Sequence, residues 1–249
     1  MKEKIYYSFV QREGYKGAAP AYFENDSFNW TSEIEKNYQV VYDELQQLLS
    51  ANEMLPYKNG QLVEDQNDWK TISVKAWGVN NYKKFKSIPK TMELFNSIPG
   101  LVSLSFNLLK AGSEIEPHHG DTSSTIRGHL GMVIPDQLPK VGFRVDGQER
   151  SWQSGKVLLF SDAHIHEAWN HSSEDRIILL FDVVKPEYLG SKNVICSRVL
   201  SALLLQRIAD KASWLAKLPR FIQGGIYFLT GVSFFFFIPI RNLFARVFS

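Results

Sequence analysis

Beyond Gly100 the chain breaks into short apolar runs, at 101–109, 125–134, 142–145, 156–160 and 176–184, each bounded by Gly, Pro, Asp, Asn or Ser. Runs this short suit strands rather than helices. Several of them at close spacing, with turn residues between, predict an all-β sandwich or barrel. The run at 125–134 shows how such a strand is used. Side chains alternate between faces, so Ile126, Leu130, Met132 and Ile134 share one face, while Arg127 and His129 share the other. At 176–184, Ile177, Leu179 and Phe181 alternate in the same way with Arg176 and Ile178.

The flanks read differently. Residues 1–30 are aromatic and turn-rich, with no clear period. Ile34, Tyr38, Val41, Leu45, Leu48 and Leu49 recur at helical spacing, which predicts a helix over 33–49 with Thr31 or Ser32 as its cap. Pro56 and the Asn59-Gly60 pair mark a loop over 52–60. A strand is expected at 69–77 and a short helix at 89–97, ended by Pro99-Gly100. After about Gly190 the period is helical again, with Val199, Leu203, Leu204, Ala209 and Leu215 on one face. The expected division is an N-terminal helical or irregular region at 1–66, a β domain at 67–190 and a helical tail at 191–249.

The tail holds a window, 221–240, without a charged residue. A helix of that length just crosses a bilayer. Lys211, Lys217 and Arg220 precede it, and Arg241 and Arg246 follow. A helix lying in the interface, a hairpin, a single span and a buried helix or dimer contact all fit this pattern, and Gly224-Gly225 and Pro239 weaken an uninterrupted helix. If the window crosses, the basic group before it favours a cytoplasmic catalytic domain. A formal net charge of +2 argues against a nucleic-acid binder. The lone Cys196 suits a reducing compartment, and the first residues are too polar for a secretory signal.

Four of the six histidines fall in two short segments, Glu116-Pro-His-His-Gly-Asp-Thr122 and Asp162-Ala-His-Ile-His-Glu-Ala-Trp169. Imidazole suits Fe, Zn, Cu or Ni, so two histidine segments in one β-rich block point to a metal site, although surface histidines would give the same spacing. Arg127 and Arg176 suit an acidic ligand, because guanidinium grips a carboxylate through paired hydrogen bonds. Ordinary salt-bridged arginines at strand ends are the competing reading. Trp77, Trp152 and Trp169 read as core.

These stretches resemble the aspartyl/asparaginyl β-hydroxylases of the Fe(II)/2-oxoglutarate oxygenases. The likeness lies in Ser97-Ile-Pro-Gly-Leu-Val with Phe106 to Gly112, in Pro117-His-His-Gly-Asp-Thr with Ile126 to Pro135, and in Trp152 to Phe160 with His166-Glu-Ala-Trp-Asn and Arg176. It covers about 77–186. The resemblance implies a double-stranded β-helix, the jelly-roll of cupin-like proteins. It implies His118 and His166 as iron ligands, with Gly120 where other oxygenases carry a carboxylate and water in the vacant position. It implies Arg127, His129 and Arg176 as holders of 2-oxoglutarate, with Asn107 standing where relatives present a serine. His119 and Asp121 also spell a His-x-Asp triplet, so they stand as alternative ligands with His166. Asp121 replaces a residue that is usually proline in relatives. His164 reads as a neighbour of the site or a solvent histidine, and Glu167 and Asp162 as candidates to orient a ligating imidazole.

The implied activity is hydroxylation of an unactivated C–H bond with molecular oxygen, releasing succinate and CO2. The implied substrate is a peptide Asp or Asn side chain or, as in related bacterial members, a lipid acyl chain. The alternatives are a cupin-like metal protein of another activity and a non-catalytic binding module.

Overall fold

The computed structural model describes residues 4–51, 53–57, 62–212, 214 and 217–248. The Asn59-Gly60 pair and Leu215 lie outside them. In chain order the elements are β1 (Tyr22–Phe23), α1 (Asn29–Lys36), α2 (Tyr38–Ser50), β2 (Leu55–Pro56), β3 (Trp69–Ala76), β4 (Val79–Asn80), α3 (Tyr82–Ser87) and α4 (Pro89–Asn96). There follow β5 (Leu101–Leu109), β6 (Ser113–His119), β7 (Thr125–Val133), β8 (Val141–Val145), β9 (Gln148–Arg150), β10 (Val157–Phe160), β11 (Ile165–Asn170), β12 (Arg176–Val184), α5 (Lys192–Lys211) and α6 (Arg220–Val247).

The strands form two antiparallel sheets, one ordered β1-β10-β7-β12-β5-β3-β2 with β4 beside β3, the other β6-β11-β8-β9. The fold is the mainly β jelly-roll expected, with helices before it and an apolar helix after it. The large sheet is covered on both faces, which is why its strands read as near-continuous apolar runs. Ile126, Leu130, Met132, Leu179 and Phe181 pack outward against Ile34, Val41, Leu45 and Phe95 of the N-terminal helices. The opposite face, with Ile178 and Leu109, meets Ile115, Phe143 and Ala168 of the small sheet. Arg127, His129 and Arg176 therefore point into the sandwich.

The predicted helix over 33–49 is two helices. Asn37, with φ −94° and ψ 12°, breaks it, and its side-chain amide donates to the Glu33 carbonyl at 2.8 Å. Phe28 occupies the cap position of α1, while Thr31 lies inside the helix and donates back to the Asn25 and Phe28 carbonyls. Glu44 of α2 caps a different helix. Its carboxylate accepts from the backbone N–H groups of Lys90 and Thr91 at 3.0 and 2.8 Å, at the start of α4, where the helix dipole favours negative charge.

The two strands that carry the histidines, β6 and β11, escape the sequence reading. Both are polar and half-exposed, with no apolar run to mark them. Nor does that reading find the hairpin between β8 and β9. There Asp146 and Gly147 take φ +48° and +76°, as the preferred two-residue hairpin turn requires. α5 and α6 pack on the β domain, where Ile195, Cys196, Val199 and Ile238 join Trp77, Val102 and Val184.

Candidate active site

The two sheets part to leave a cavity between them. His118, His166, Arg127, His129, Arg176 and Asn107 all line it. β6 and β11 pair so that His118 and His166 stand directly across from each other. Their rings lie 4.2 Å apart, centre to centre. His118 Nδ1 meets the Glu116 carbonyl at 2.8 Å, and His166 Nδ1 meets the His164 carbonyl at 2.9 Å. A carbonyl only accepts, so each Nδ1 carries the proton and each Nε2 keeps its lone pair. Burial lowers the His118 pKa to about 4, with Arg127 and His119 adding to the effect against the pull of the Glu116 carbonyl. Burial, then the neighbouring His118, drives His166 well below the ordinary histidine value. Both rings are neutral near pH 7, the state that binds a metal.

His119 and Asp121 are not brought into this cavity. Alternation turns His119 outward, where its Nδ1 meets the Ala163 carbonyl at 3.0 Å. Asp121 turns toward Trp77, which donates to it, and burial raises its pKa to about 6. His164 also faces away, with Nε2 2.7 Å from the Ala19 carbonyl. Among the described residues no group of three or more His, Cys, Asp or Glu side chains could hold a metal ion. A metal here would rest on two imidazoles.

A carboxylate nevertheless stands beside them. A Cβ on Gly120 would fall 1.8 Å from Asp162 Oδ2, so only glycine leaves room for the Asp162 side chain. Asp162 Oδ1 lies 3.5 Å from His166 Nε2. Burial, with Asp182 and Asp121 close by, pushes its pKa up to about 7 against the pull of Arg127.

Arg127 is held more tightly than a free carboxylate clasp would be. Asp182 stands directly across from it on β12 and accepts from Nε at 2.7 Å and from Nη2 at 3.1 Å; Asp162 accepts from Nη1. Burial opposes charge on this guanidinium, but the two carboxylates outweigh it and hold its pKa above the ordinary value. A guanidinium has five N–H donors. Three are engaged, which leaves one on each terminal nitrogen.

Arg176 contrasts with it. It is 1% exposed, its Nε has no partner, and burial lowers its pKa to about 9 with no carboxylate beside it. Its guanidinium lies over the Trp152 ring, 4.5 Å from the centroid. Trp152 also sets the neighbouring histidine. Its Nε1–H, which can only donate, points at His129 Nδ1 from 3.2 Å. His129 is therefore the neutral tautomer with its proton on Nε2, and burial, then Arg176, depresses its pKa far below the ordinary value. That Nε2–H has no partner. Nor does the Nε1–H of Trp69, a residue the sequence places only at the start of a strand, which stacks on Tyr57 and lines the same cavity.

Three buried N–H donors, on Trp69, His129 and Arg176, thus share one chamber without an acceptor. Buried donors are almost always paired, so such a group calls for an acceptor, and the charge of Arg176 favours an anionic one. Asn107 lies with them. Its Nδ2 donates to Ser105, and its Oδ1 has no partner. The Ser105 carbonyl can only accept, so it fixes Nδ2 on that side and leaves Oδ1, an acceptor, toward the chamber; Asn107 is not placed to hold a carboxylate, contrary to the expectation from the resemblance. Sequence reasoning misses Trp69 and the double part played by Trp152, because an indole N–H in a strand looks the same whether it is core or ligand contact.

The sequence profile of the family described as aspartyl/asparaginyl beta-hydroxylase matches residues 35–186. The chain is 34% identical over 172 residues to an ornithine lipid ester-linked acyl 2-hydroxylase of Rhizobium tropici, an alignment that covers 67% of this chain and 61% of that protein. It is 29% identical over 159 residues to the human aspartyl/asparaginyl beta-hydroxylase, covering 62% of this chain and 21% of the human one. The chain thus spans about three-fifths and one-fifth of these curated relatives. Among solved structures, a prolyl-4-hydroxylase of Pseudomonas putida aligns over 59% of this chain and 87% of its own, with TM-score 0.40 and 15% identity.

Proposed function

The chain belongs to the aspartyl/asparaginyl β-hydroxylase family, and from that premise we propose that it is an Fe(II)- and 2-oxoglutarate-dependent hydroxylase. The observation that carries the reading is the shared cavity. Two imidazoles with free Nε2 lone pairs line the same space as three buried donors that lack an acceptor. His118 and His166 would hold the iron. Arg176, His129 and Trp69 would hold the carboxylates of 2-oxoglutarate, helped by the two free donors of Arg127. When bound, the iron and keto acid supply the oxidising power that lets molecular oxygen hydroxylate a C–H bond, with release of succinate and CO2.

The chain's own residues do the rest. The backbone carbonyls of Glu116 and His164 fix the ligating tautomers. Trp152 fixes His129 as a donor and supports Arg176. Arg127, itself clamped by Asp182, holds the Asp162 carboxylate next to His166, where it would supply negative charge beside a cation. Ile115, Phe143, Ala168, Ile178 and Leu180 make much of the remaining wall apolar, which keeps water from the reacting carbon.

Of the two implied substrate classes, a lipid acyl chain has the better support. The lining offers that substrate apolar contacts, the bacterial relative carries a lipid-directed name, and α6 is long and apolar enough to cross a membrane. The test is 2-oxoglutarate-dependent succinate formation by the iron-loaded chain, with mass spectrometry of membrane lipids and of Asp- or Asn-containing peptides. A gain of one oxygen in an acyl chain is expected. A gain in a peptide would move the substrate to the other class, and no succinate from either would refute the activity.

A further inference from the structure

α6 is long enough to span a bilayer, yet the structure fastens it along its whole length to the catalytic body. Near its start Arg12 Nη2 donates to Gln223 Oε1 at 2.7 Å. One turn later Tyr227 stacks on Phe9, with ring centres 5.3 Å apart, and its carbonyl accepts from Ser201 of α5 at 2.9 Å. Gly231 and Ile238 are buried. Near its end Asn242 donates to the Gly78 carbonyl at 2.8 Å and accepts from the Asn80 N–H at 3.0 Å, while Arg241 donates to the Asn80 carbonyl. From Gln223 to Asn242 is about 28 Å of helix, nearly the thickness of the hydrocarbon core. If α6 crossed a membrane, the body lying against it would have to enter hydrocarbon. Arg198 of α5, near Tyr227, would go with it, at roughly 2.5–3.5 kcal/mol for a charge near the bilayer centre.

The other side of the same helix is bare. Phe228, Leu229, Phe236, Ile240, Leu243 and Phe244 are each at least 55% exposed. The exposed residues from 221 to 240 include no charge. Basic residues frame this face. Arg207, Lys211, Lys217 and Arg220 are exposed around the α5–α6 turn with Trp214, and Arg246 is exposed at the far end. Residues 191–249 hold eight basic side chains and one acidic, a net +7, which leaves −5 for residues 1–190 out of the chain total of +2.

We infer that α6 lies flat on the membrane and seats the catalytic body on an anionic phospholipid surface, with its bare face in the acyl boundary and its basic frame among the headgroups. The inference rests on the lipid-directed reading above and goes further, because it gives the tail an orientation and the enzyme a side. Arg12 is bonded to α6, and two residues on Gly14 packs against His119, where an added Cβ would stand 2.7 Å from Nε2. His119 adjoins His118. A three-residue stretch of backbone therefore links the membrane-facing helix to the end of β6 that bears a candidate iron ligand.

The test uses the full chain with an epitope added after Ser249 and sealed vesicles of phosphatidylcholine with roughly 30% phosphatidylglycerol. Flotation should carry the chain with these vesicles, and pure phosphatidylcholine should bind it at least about tenfold more weakly. The triple variant Phe228→Glu, Phe236→Glu, Phe244→Glu should lose at least about tenfold in bound fraction while its far-UV circular dichroism and its binding of 2-oxoglutarate with Mn(II) stay unchanged. Protease added outside should cleave the epitope and the catalytic body together or spare both. An epitope spared while the body is digested would mean a spanning helix and overturn the proposal. So would a bound fraction indifferent to phosphatidylglycerol and to the three glutamates, or a tail that self-associates and does not float. Normal 2-oxoglutarate binding without flotation would sink the seating alone. Flotation without 2-oxoglutarate binding would instead sink the enzyme reading.

Discussion

Arg176→Met should make the cosubstrate-free protein more stable and at the same time destroy its affinity for 2-oxoglutarate. The native guanidinium is 1% exposed and has no carboxylate beside it, and burial alone brings its pKa down to about 9. A fall of that size corresponds to roughly 4–5 kcal/mol spent on keeping the charge out of water. Stacking over Trp152 returns about 1–2 kcal/mol. Methionine fills similar space without charge, so the apo protein should gain about 2–4 kcal/mol, a rise of roughly 4–16 °C in Tm for a chain of this size. Loss of the buried charge partner should weaken 2-oxoglutarate binding by about 2–5 kcal/mol. Differential scanning calorimetry and titration of 2-oxoglutarate into the Mn(II)-loaded proteins read both effects. A variant of lower Tm with unchanged cosubstrate affinity would show that Arg176 has an anionic partner within the protein and no ligand role.

Other outcomes follow from single contacts. Gly120→Ala should cost about 1–3 kcal/mol or more by overpacking, because the new Cβ meets Asp162, and should weaken Mn(II) binding; wild-type values in both assays would refute the close approach. Trp152→Phe keeps an aromatic ring but loses the donor that sets the His129 tautomer. Binding of 2-oxoglutarate should then fall by about 1 kcal/mol, and the ¹⁵N signals of His129 should show a tautomer mixture where the wild type shows one. Cys196, buried by α5 packing with its pKa raised to about 12, should resist thiol reagents until denaturant opens the protein; rapid labelling under native conditions would contradict that packing. Glu44→Ala should destabilise by about 1–2 kcal/mol through loss of the α4 cap, while Glu44→Gln should retain part of it.

The sequence exposes the large sheet well because both of its faces are covered, which leaves β5, β7 and β12 as long apolar runs. The alternation of Arg127 and His129 against Ile126, Leu130 and Met132 is legible for the same reason, and it puts the polar pair in the sandwich interior. β6 and β11 are hidden, since a small sheet with one wet face carries too few apolar residues to announce itself. Their pairing is what sets His118 against His166. Long-range charge is hidden too. Nothing local tells that Asp182 and Asp162 take three donors of Arg127 while Arg176 receives none, because those carboxylates arrive from 55 and 35 residues away. The break at Asn37 escapes a periodicity argument because Ile34, Tyr38 and Val41 keep helical spacing across it.

The central claim is that one cavity binds a divalent metal through His118 and His166 and a dicarboxylate beside it. The most direct measurement is anaerobic calorimetric titration of Mn(II), followed by 2-oxoglutarate, into the wild type and the double variant His118→Ala, His166→Ala. The account predicts one metal per wild-type chain, tighter 2-oxoglutarate binding once the metal is present, and no such metal-dependent gain in the double variant. Metal binding that survives loss of both imidazoles, or 2-oxoglutarate affinity indifferent to metal, would contradict it.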